Sequence, residues 1–546
     1  MNNSMLSRYR QKIYLILANV GLILLFYSIW EIEPVTVVSG DFLGLTSKLT
    51  ITYWIGLLLI TLCSILIYLD NGIKNNKILI YVLIIVGLFV IGLGVFVEEN
   101  PRISVSYYPI GEVKNILVDG HVDITTPYPL ISYRSWLGLH LISANIIYLS
   151  NIELIDIVKY MSIFWIVVFV VITFSIGKKL RFSKNECFLL SFLAITSFWT
   201  SHDYYSPQSF AFLIYLVVFL FVITVNNDNA TKKCLSIIMF SALVITHLLT
   251  TVSVLLSLFM VLLYSKDNKD NRVRSNEFIL FCIIFIAWHI FVASTIIKWS
   301  IPEVISSVVN MESLSVVNSR LHPTTLIESL TKILHFSYIL IFLIPVGVFL
   351  FNRKKDRVGK QMLISILVWI LGTVFIIVGV YGTEIFERLY LFSSVPLICF
   401  SIMLFKNYKY NSKIFVGIII IFVGMSVPAY YGNEVLSLTY TTELKGSEFT
   451  SNVLDNESYF YILPNLMYYY KPNLISVKNS MFYFSYNDSL IDTSKYVVDS
   501  IQSDTNLIFR FGFNPEHKWI IKENNELNLL YNNGNFSVYR NMLIQS

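Results

Sequence analysis

A polar segment between residues 98 and 140 carries side chains whose types suit chemistry. Beyond its opening Glu pair it contains three carboxylates, Glu112, Asp119 and Asp123. A carboxylate held beside a substrate can act as a general base, or it can bind a divalent cation. Each of the three can also be an ordinary solvated loop charge. We therefore predict that at least one of them is catalytic and leave open which one, with Glu112 first.

A second polar group fills the short connection Ser201–Gln208 between two apolar runs. A turn there needs only two or three residues, and Gly or Asn would do. A belt of interfacial aromatic residues and an Asp cap before a proline would explain Tyr204 and Asp203. They would not explain His202 and Gln208, because polar groups at membrane depth are costly and tend to be functional. We predict that all four side chains line a substrate pocket.

Two further positions complete the candidate site. His247 interrupts a long apolar run, where it needs a polar partner; a hydrogen bond between helices would be a purely structural explanation. Arg388 precedes a late apolar run and suits the binding of a phosphate or pyrophosphate. Glu384 stands four residues before Arg388, so the two can instead form an ion pair. We predict that His247, Glu384 and Arg388 all contribute to substrate binding.

Other signals are weak or missing. The polar segment 298–332 could act as a lid over a site, but its pattern is unspecific. The chain has no Walker A, GxSxG, HExxH or CxxC motif. Its five cysteines lie in or beside apolar runs, which gives no indication of a disulfide framework or a cysteine-based metal site. A divalent cation held by the loop carboxylates is the single cofactor that we consider.

The composition shows what kind of molecule must position these residues. Of 546 residues, 55% are hydrophobic and 14% charged, with a mean hydropathy of +0.66. Soluble domains carry about 25% charged residues, so these values are typical of a multi-pass membrane protein. The net charge of +5 gives no reason to expect nucleic acid as a partner. The first apolar run follows Arg8, Arg10 and Lys12 and lacks a cleavage site, so we interpret it as an anchor.

Apolar runs long enough to be considered as membrane spans occur about 13 times, given that a span needs about 20 residues. They lie near residues 13–30, 49–69, 78–97, 157–176, 187–200, 207–225, 235–247, 250–264, 278–297, 333–351, 362–381, 389–405 and 414–431. The stretch 235–264 is too long for one span and short for two. We predict a break near His247.

The basic residues test this division through the positive-inside rule. All short basic connections fall on one face, but only if 235–264 is split in two. They contain Arg8, Arg10 and Lys12; Lys74 and Lys77; Lys178, Lys179, Arg181 and Lys184; Lys232 and Lys233; Lys266, Lys269, Arg272 and Arg274; Arg353, Lys354, Lys355 and Arg357; and Lys406, Lys409 and Lys413. The rule predicts a cytoplasmic N-terminus and an outer C-terminus.

The fold class expected is therefore an all-α polytopic membrane protein with a small extracytoplasmic α/β domain at its C-terminus. We divide it into N-terminal helices (1–97), a long outer loop (98–156), a helical bundle (157–431) and the C-terminal domain (432–546). That last region is polar and has strand-like runs at 459–463, 474–478, 506–511 and 518–522. Asn533-Gly534, between alternating apolar residues, predicts a β-hairpin.

Three short motifs carry a resemblance to a known family. They are Tyr108-Pro109-Ile110-Gly111, the turn Asp203-Tyr204-Tyr205-Ser206-Pro207-Gln208, and His247-Leu248-Leu249-Thr250. Together with many spans, a long first outer loop and an outer C-terminal domain, they resemble the GT-C superfamily of membrane glycosyltransferases, specifically a poorly characterised prokaryotic group. The motifs cover about residues 98–260. Beyond them the resemblance depends on architecture.

The resemblance implies a sugar transfer at the outer face of the cell membrane. The donor would be a polyprenyl-phosphate-linked sugar, and the acceptor a cell-surface glycan or a protein. Glu112, Asp119 or Asp123 would take the proton of the acceptor hydroxyl. Arg388 would hold the lipid phosphate, sometimes with a metal, and His202, Asp203 and His247 would line the sugar pocket.

Other classes of protein fit parts of the pattern. An O-antigen-type polysaccharide polymerase also has many spans and large outer loops, but it usually lacks a long tail domain. A transporter would place charges or breaks in the middle of its helices, whereas the spans here are apolar at their centres. A non-enzymatic scaffold would work through its tail, and its membrane charges would be dispensable.

Overall fold

The computed structural model of the protein describes most of the helical region and parts of the tail. The described residues are 3–32, 43–70, 72–73, 75–122, 134–200, 202–224, 230–265, 275–294, 326–351, 360–374, 385–407, 412–432, 437–453, 466, 470, 496–500, 527–534 and 536–541. Asp123, Glu384, most of segment 298–332 and the four strand-like runs of the tail lie outside them.

Helices dominate the described residues, as the apolar runs predict. In chain order they are α1 (Asn3–Glu31), α2 (Ile51–Leu69), α3 (Asn76–Val90), α4 (Leu93–Val97), α5 (Tyr107–Asp119), α6 (Gly138–Ser150), α7 (Leu154–Lys179), α8 (Lys184–Thr196), α9 (Pro207–Thr224), α10 (Ala230–Val244), α11 (Leu248–Ser265), α12 (Ser275–Phe291), α13 (Leu326–Phe351), α14 (Lys360–Val374), α15 (Ile385–Asn407), α16 (Ser412–Tyr431) and α17 (Thr441–Val453).

Each of the predicted apolar runs overlaps at least one of these helices, and the run 78–97 overlaps both α3 and α4. Among the described residues, six helices are long and apolar enough to cross a membrane unaided: α1, α2, α7, α13, α15 and α16. The helices of the other runs are shorter. The chain is thus a multi-pass membrane protein, and the full count of spans and their orientation stay predictions.

The predicted break in the run 235–264 is confirmed. Helix α10 ends at Val244 and α11 begins at Leu248. The Thr251 hydroxyl donates to the carbonyl oxygens of Leu243 (3.1 Å) and His247 (2.8 Å). These bonds satisfy backbone groups that an interrupted helix leaves unpaired.

One end of the bundle is held by a charged network around Asp70. Its carboxylate accepts hydrogen bonds from Arg10 Nη1 (3.1 Å) and from the Tyr14 hydroxyl (2.8 Å). The Lys406 ammonium at the same end lies 3.0 Å from Glu186 Oε2. This end carries the basic connections that the positive-inside rule places in the cytoplasm, so we refer to it as the basic end.

The opposite end is held by tyrosines that reach across helices to backbone carbonyl groups. Tyr338 donates to the Thr196 carbonyl (2.9 Å), and Tyr390 donates to that of Ser197 (2.8 Å). Tyr431 donates to the carbonyl of Ile91 (2.7 Å). These contacts bring the ends of α3, α8, α15 and α16 together beside the middle of α13, and this end of the bundle is called the tyrosine end below.

The segment after residue 98 lies on the tyrosine end and is tied to the tail. The Ile103 amide donates to the Ser437 carbonyl (2.6 Å), and Asn100 Nδ2 donates to that of Thr439 (3.0 Å). An apolar cluster supports this contact; it contains Tyr107, Ile110, Leu139, Val158, Met161, Tyr205 and Leu466. The loop and the tail thus form one layer above the helices.

The tail combines a helix with an antiparallel sheet, as an α/β domain requires. The strands β1 (Tyr496–Ser500), β2 (Leu527–Asn532) and β3 (Phe536–Asn541) are ordered β1-β3-β2. The hairpin predicted at Asn533-Gly534 is confirmed, with Gly534 at a φ of +94°. Phe449 of α17 stacks on Tyr531 of β2, with ring centroids 4.4 Å apart.

Candidate functional site

Asp203 is held in the turn between α8 and α9, at the tyrosine end. Only 2% of the surface of Asp203 is exposed. The Tyr430 hydroxyl, at the end of α16, donates a hydrogen bond to Asp203 Oδ1. The Ser162 hydroxyl of α7 donates to its backbone carbonyl at 3.3 Å. A buried carboxylate needs such partners, and these two fix both its backbone and its side chain.

Arg102 places a positive charge beside this carboxylate. Its Cζ lies 4.6 Å from the centroid of the Tyr430 ring and 4.8 Å from that of Tyr431. Its Nε lies 3.6 Å from Glu98 Oε1. Cation–π contacts of this kind contribute about 0.5 to 2 kcal/mol each. The guanidinium is thus oriented by two rings and a carboxylate, and one of the rings also binds Asp203.

A small cleft opens beside these residues. Its polar lining consists of Asn100, Arg102, Lys159, Ser162, Asp203 and Tyr204. Lys159 Nζ donates to the Glu99 carbonyl at 3.1 Å. Two cationic side chains and one carboxylate therefore face the same space, which suits a ligand with an anionic group and a neighbouring hydroxyl.

Glu112 is buried on α5 and forms an ion pair. Arg134 Nε donates to Glu112 Oε2 at 2.7 Å, and each side chain is less than a tenth exposed. Removing one partner of such a pair leaves an uncompensated buried charge, which costs several kcal/mol. The pair connects α5 to the start of the segment that leads into α6.

Asp119 lies in a different environment from Glu112. It is the last residue of α5 and is exposed. Seven residues of helix separate the two carboxylates, which corresponds to roughly 10 Å along the axis. The structure does not bring Asp119 to the buried residues of the tyrosine end, and Asp123 lies outside the described residues.

The structure brings His202, His247 and Arg388 into one neighbourhood. His247 lies within electrostatic range of both of the others. His247 Nδ1 is 2.9 Å from the Thr250 hydroxyl, and His202 Nδ1 is 2.5 Å from the Thr200 carbonyl. These three residues come from the turn before α9, the break before α11 and the first turn of α15. The predicted partner of Arg388, Glu384, is not among the described residues.

Tyr204 and Gln208, the remaining predicted pocket residues, belong to the same polar connection as His202 and Asp203. Tyr204 is half-buried and lines the cleft, with its ring centroid 6.2 Å from that of His202. Gln208 is buried in the first turn of α9. The binding of a divalent cation also stays a prediction. In the described part of the chain, no group of three or more His, Cys, Asp or Glu residues could hold a metal ion.

Several residues of this site were not predicted from the sequence. They are Glu98, Arg102, Arg134, Lys159 and Tyr430. The signal that identified Arg388 also applies to Arg102 and Arg134, because each is an arginine on the face where the positive-inside rule expects few. No sequence signal marks Tyr430, which stands among apolar residues at the end of a span.

Comparison with known proteins gives matches in structure and none in sequence. No protein-family model and no curated protein sequence matches the chain. The oligosaccharyltransferase of Archaeoglobus fulgidus in its apo form is similar, with a TM-score of 0.51 and 11% identity over 85% of this chain and 74% of that one.

Two structures of ArnT from Cupriavidus metallidurans also match. The apo state has a TM-score of 0.48 and 10% identity over 86% of this chain and 98% of that one. The structure bound to undecaprenyl phosphate has a TM-score of 0.47 and 9% identity over 90% and 98%.

Of these three structures only the oligosaccharyltransferase exceeds a TM-score of 0.5, and at 11% identity the likeness concerns the fold alone. The chain is a multi-pass membrane protein whose fold is similar to that of this archaeal oligosaccharyltransferase.

Proposed function

We propose that this protein is a membrane glycosyltransferase that acts at the outer face of the membrane. It moves a sugar from a polyprenyl-phosphate-linked donor to an acceptor hydroxyl of a cell-surface glycan or a protein. The observation that carries the proposal is the buried Asp203, bound by Tyr430 and flanked by Arg102, at the edge of a cationic cleft. The similarity in fold to the archaeal oligosaccharyltransferase and the sequence motifs that include Asp203 support the same function.

The reaction assigns a role to each group. The acceptor oxygen attacks the anomeric carbon, and the bond from that carbon to the phosphate oxygen breaks. The lipid phosphate leaves with the electron pair, and a carboxylate takes the proton of the acceptor hydroxyl. Arg102, Lys159 and Arg388 would stabilise the charge on the leaving phosphate. His202, Tyr204, Gln208 and His247 would line the sugar pocket, with Glu384 beside Arg388.

Two described carboxylates suit the role of base. Glu112 is the one favoured by its place in the YPxxGE segment, and its Oε2 is held 2.7 Å from Arg134 Nε. Asp203 faces the cleft directly. Asp119 is a weaker candidate because it is exposed at the end of α5, and Asp123 remains a candidate from the sequence alone. If a divalent cation takes part, these carboxylates would supply its oxygen ligands.

The placement of buried charges favours an enzyme over a transporter. The buried carboxylates and guanidinium among the described residues are Asp70, Glu98, Glu112, Arg134, Asp203 and Glu443. None of these six lies within one of the six helices long enough to span the membrane. A transport pathway would need such groups near the bilayer midplane.

The proposal is tested by conservative substitution of the two carboxylates. Membranes containing the full chain are incubated with radiolabelled polyprenyl-phosphate hexoses, and label in glycan or protein is counted. We expect Glu112→Gln or Asp203→Asn to lower incorporation by about 10²- to 10⁴-fold, because a general base contributes that much. Asp156→Asn is the matched control, since Asp156 is an exposed carboxylate in the first turn of α7, the end of that helix that also carries Lys159 and Ser162.

Folding is checked by size-exclusion chromatography and melting temperature in detergent. Incorporation that stays within twofold of the native level in both variants, with normal folding, would contradict the proposal and favour a scaffold.

A further inference from the structure

His140 is a buried histidine for whose ring the described part of the chain provides no hydrogen bond. It lies in the first turn of α6 and is 0% exposed. Within the described residues neither Nδ1 nor Nε2 has a hydrogen-bond partner. Such groups are rare in native structures because a buried polar atom without a partner loses its hydrogen bonds to water and gains none in return. Its presence therefore needs an explanation.

The position of His140 lies between two turns of the candidate site. Two residues earlier, the Gly138 amide donates to the Ile245 carbonyl at 2.9 Å, in the break before α11. Three residues later, the Ser143 hydroxyl accepts a hydrogen bond from Tyr205 at 2.7 Å. Residues three apart share one face of a helix, so His140 and Ser143 face the same side. His140 is thus set between the turn of His202 and Asp203 and the break at His247.

Other unused polar groups occur in the same region. Gln208, in the first turn of α9 and three residues after Tyr205, has a buried Nε2 without a partner in the described part of the chain. Trp136, four residues before His140 and just ahead of α6, likewise has a buried Nε1 without a partner there. Three buried side chains in this region thus offer hydrogen bonds that the described part of the chain does not use.

The chemistry of these groups indicates the kind of ligand. Burial lowers the pKa of His140 to about 4, so its ring is neutral at physiological pH. A neutral imidazole offers one donor and one acceptor, and the unpaired Gln208 Nε2 and Trp136 Nε1 are both donors. The set carries no charge, and through His140 it offers an acceptor as well as donors. Hydroxyl groups, which both accept and donate hydrogen bonds, match such a set.

We propose that His140, together with Gln208, binds hydroxyl groups of the sugar that the lipid donor carries. The inference builds on the proposed function and deepens it by separating two subsites. The cationic cleft around Arg102 binds the phosphate, and the uncharged side chains around His140 form hydrogen bonds with the sugar. The unpaired side chains are kept because the ligand completes their hydrogen bonds.

The test separates the sugar from the phosphate. The full-length protein in lipid nanodiscs is titrated with a short-chain polyprenyl phosphate and with the same lipid phosphate carrying glucose, mannose or N-acetylglucosamine. In the native protein we expect at least one sugar-bearing lipid to bind more tightly than the bare phosphate. His140→Phe, which keeps the ring shape without its nitrogens, should weaken that lipid about tenfold, equivalent to one lost hydrogen bond.

Two variants serve as controls. Binding of the bare lipid phosphate to His140→Phe should stay within twofold of the native value, and His140→Gln should restore part of the sugar-specific affinity. His121→Phe removes an exposed histidine at the end of α5. It should change neither the affinity for the bare lipid phosphate nor the affinity for the sugar-bearing lipid.

Each outcome has a distinct meaning. Unchanged affinity of His140→Phe for the sugar-bearing lipid would overturn this inference and leave the proposed function standing. Equal binding of sugar-bearing and bare lipid to the native protein would contradict both. A fall in melting temperature of the ligand-free His140→Phe and His140→Gln proteins, together with lost binding of every lipid, would assign His140 a structural role and also overturn the inference.

Discussion

At the scale of single residues, the contacts of Asp203 come from distant parts of the chain. Tyr430, which binds its carboxylate, stands 227 residues later. Arg102 packs on the rings of Tyr430 and Tyr431 and comes from a loop about a hundred residues earlier. The sequence identifies Asp203 through an unusually polar turn, but no local pattern names a partner at such a distance. Loss of the Tyr430 hydroxyl would leave the buried carboxylate without its described side-chain partner.

Glu112 illustrates a related limit of sequence reasoning. In the sequence it is an isolated loop carboxylate, and the solvated alternative is a natural interpretation. In the structure it is buried against Arg134, 22 residues later. Partners across an irregular segment cannot be predicted from spacing, because no helical or strand period connects them.

His140 makes the stability of the protein depend on pH. Its pKa is about 4 in the folded protein and about 6.5 for an unfolded histidine. Between these values the unfolded chain binds more protons, so the free energy of unfolding falls as pH falls from about 6.5 to 4 and then levels off. The shift corresponds to about 3 kcal/mol.

We expect His140→Phe to remove this dependence. Melting temperatures measured in nanodiscs from pH 7 to pH 4.5 should fall less steeply for the variant than for the native protein. His121→Phe should follow the native curve, because its ring is exposed in the folded chain as well. Parallel curves for His140→Phe and the native protein would show that His140 is not held neutral by burial.

At the scale of elements, a glycine sets how closely α11 and α14 approach. A Cβ on Gly372 would overlap the backbone of Ser257, lying 2.6 Å from its nitrogen. The Ser257 hydroxyl donates to the Trp369 carbonyl at 3.0 Å across the same contact. Small residues allow helix backbones to meet in this way inside membranes. The clash is with backbone, which cannot move aside as a flexible side chain would.

Gly372→Ala should therefore destabilise the bundle by about 1 to 3 kcal/mol, as overpacking does. The measurement is the midpoint of unfolding in mixed micelles. Gly417→Ala is the matched control, because Gly417 lies in α16 and its added Cβ would meet no atom within 4 Å. That variant should be neutral or slightly more stable, since alanine favours helix more than glycine does. Equal midpoints for both variants would mean that α11 and α14 do not pack as described.

Elements are also where sequence analysis succeeds best here. The apolar runs, the break before Leu248 and the hairpin at Asn533-Gly534 all have strong local signals, and each is found. Strand β1 and helix α17 were not predicted. Helix α17 is polar, and β1 pairs with β3 some 40 residues away. Neither segment therefore has a local sequence pattern from which it could be predicted.

At the scale of the whole molecule, the basic connections between helices and the candidate site lie at opposite ends. The basic end has Arg10, Lys178, Lys184 and Lys406, whereas the tyrosine end has the buried site. This separation agrees with an orientation in which the basic end faces the cytoplasm. The candidate site and the tail would then share the outer side.

Cysteine labelling in intact cells tests this orientation. In a background with Cys234→Ser and Cys282→Ser, the other three cysteines are buried. A membrane-impermeant maleimide should label Asp156→Cys directly, because that exposed position lies at the tyrosine end. It should label Lys184→Cys, at the basic end, only after permeabilisation. The reverse order of labelling would place the site inside the cell and contradict a reaction at the outer face.

The tie between the first loop and the tail has a consequence for how the protein is made. Asn100 and Thr439 are hydrogen-bonded to each other but are 339 residues apart. A nascent chain that has just inserted the helices before residue 98 must wait for the rest of the helical bundle before that contact can form. Until then no tail residues cover the segment that leads into Glu112. The layer that carries the site is therefore completed last, and a ribosome that stops near residue 432 would leave an inserted bundle with an unfinished active surface.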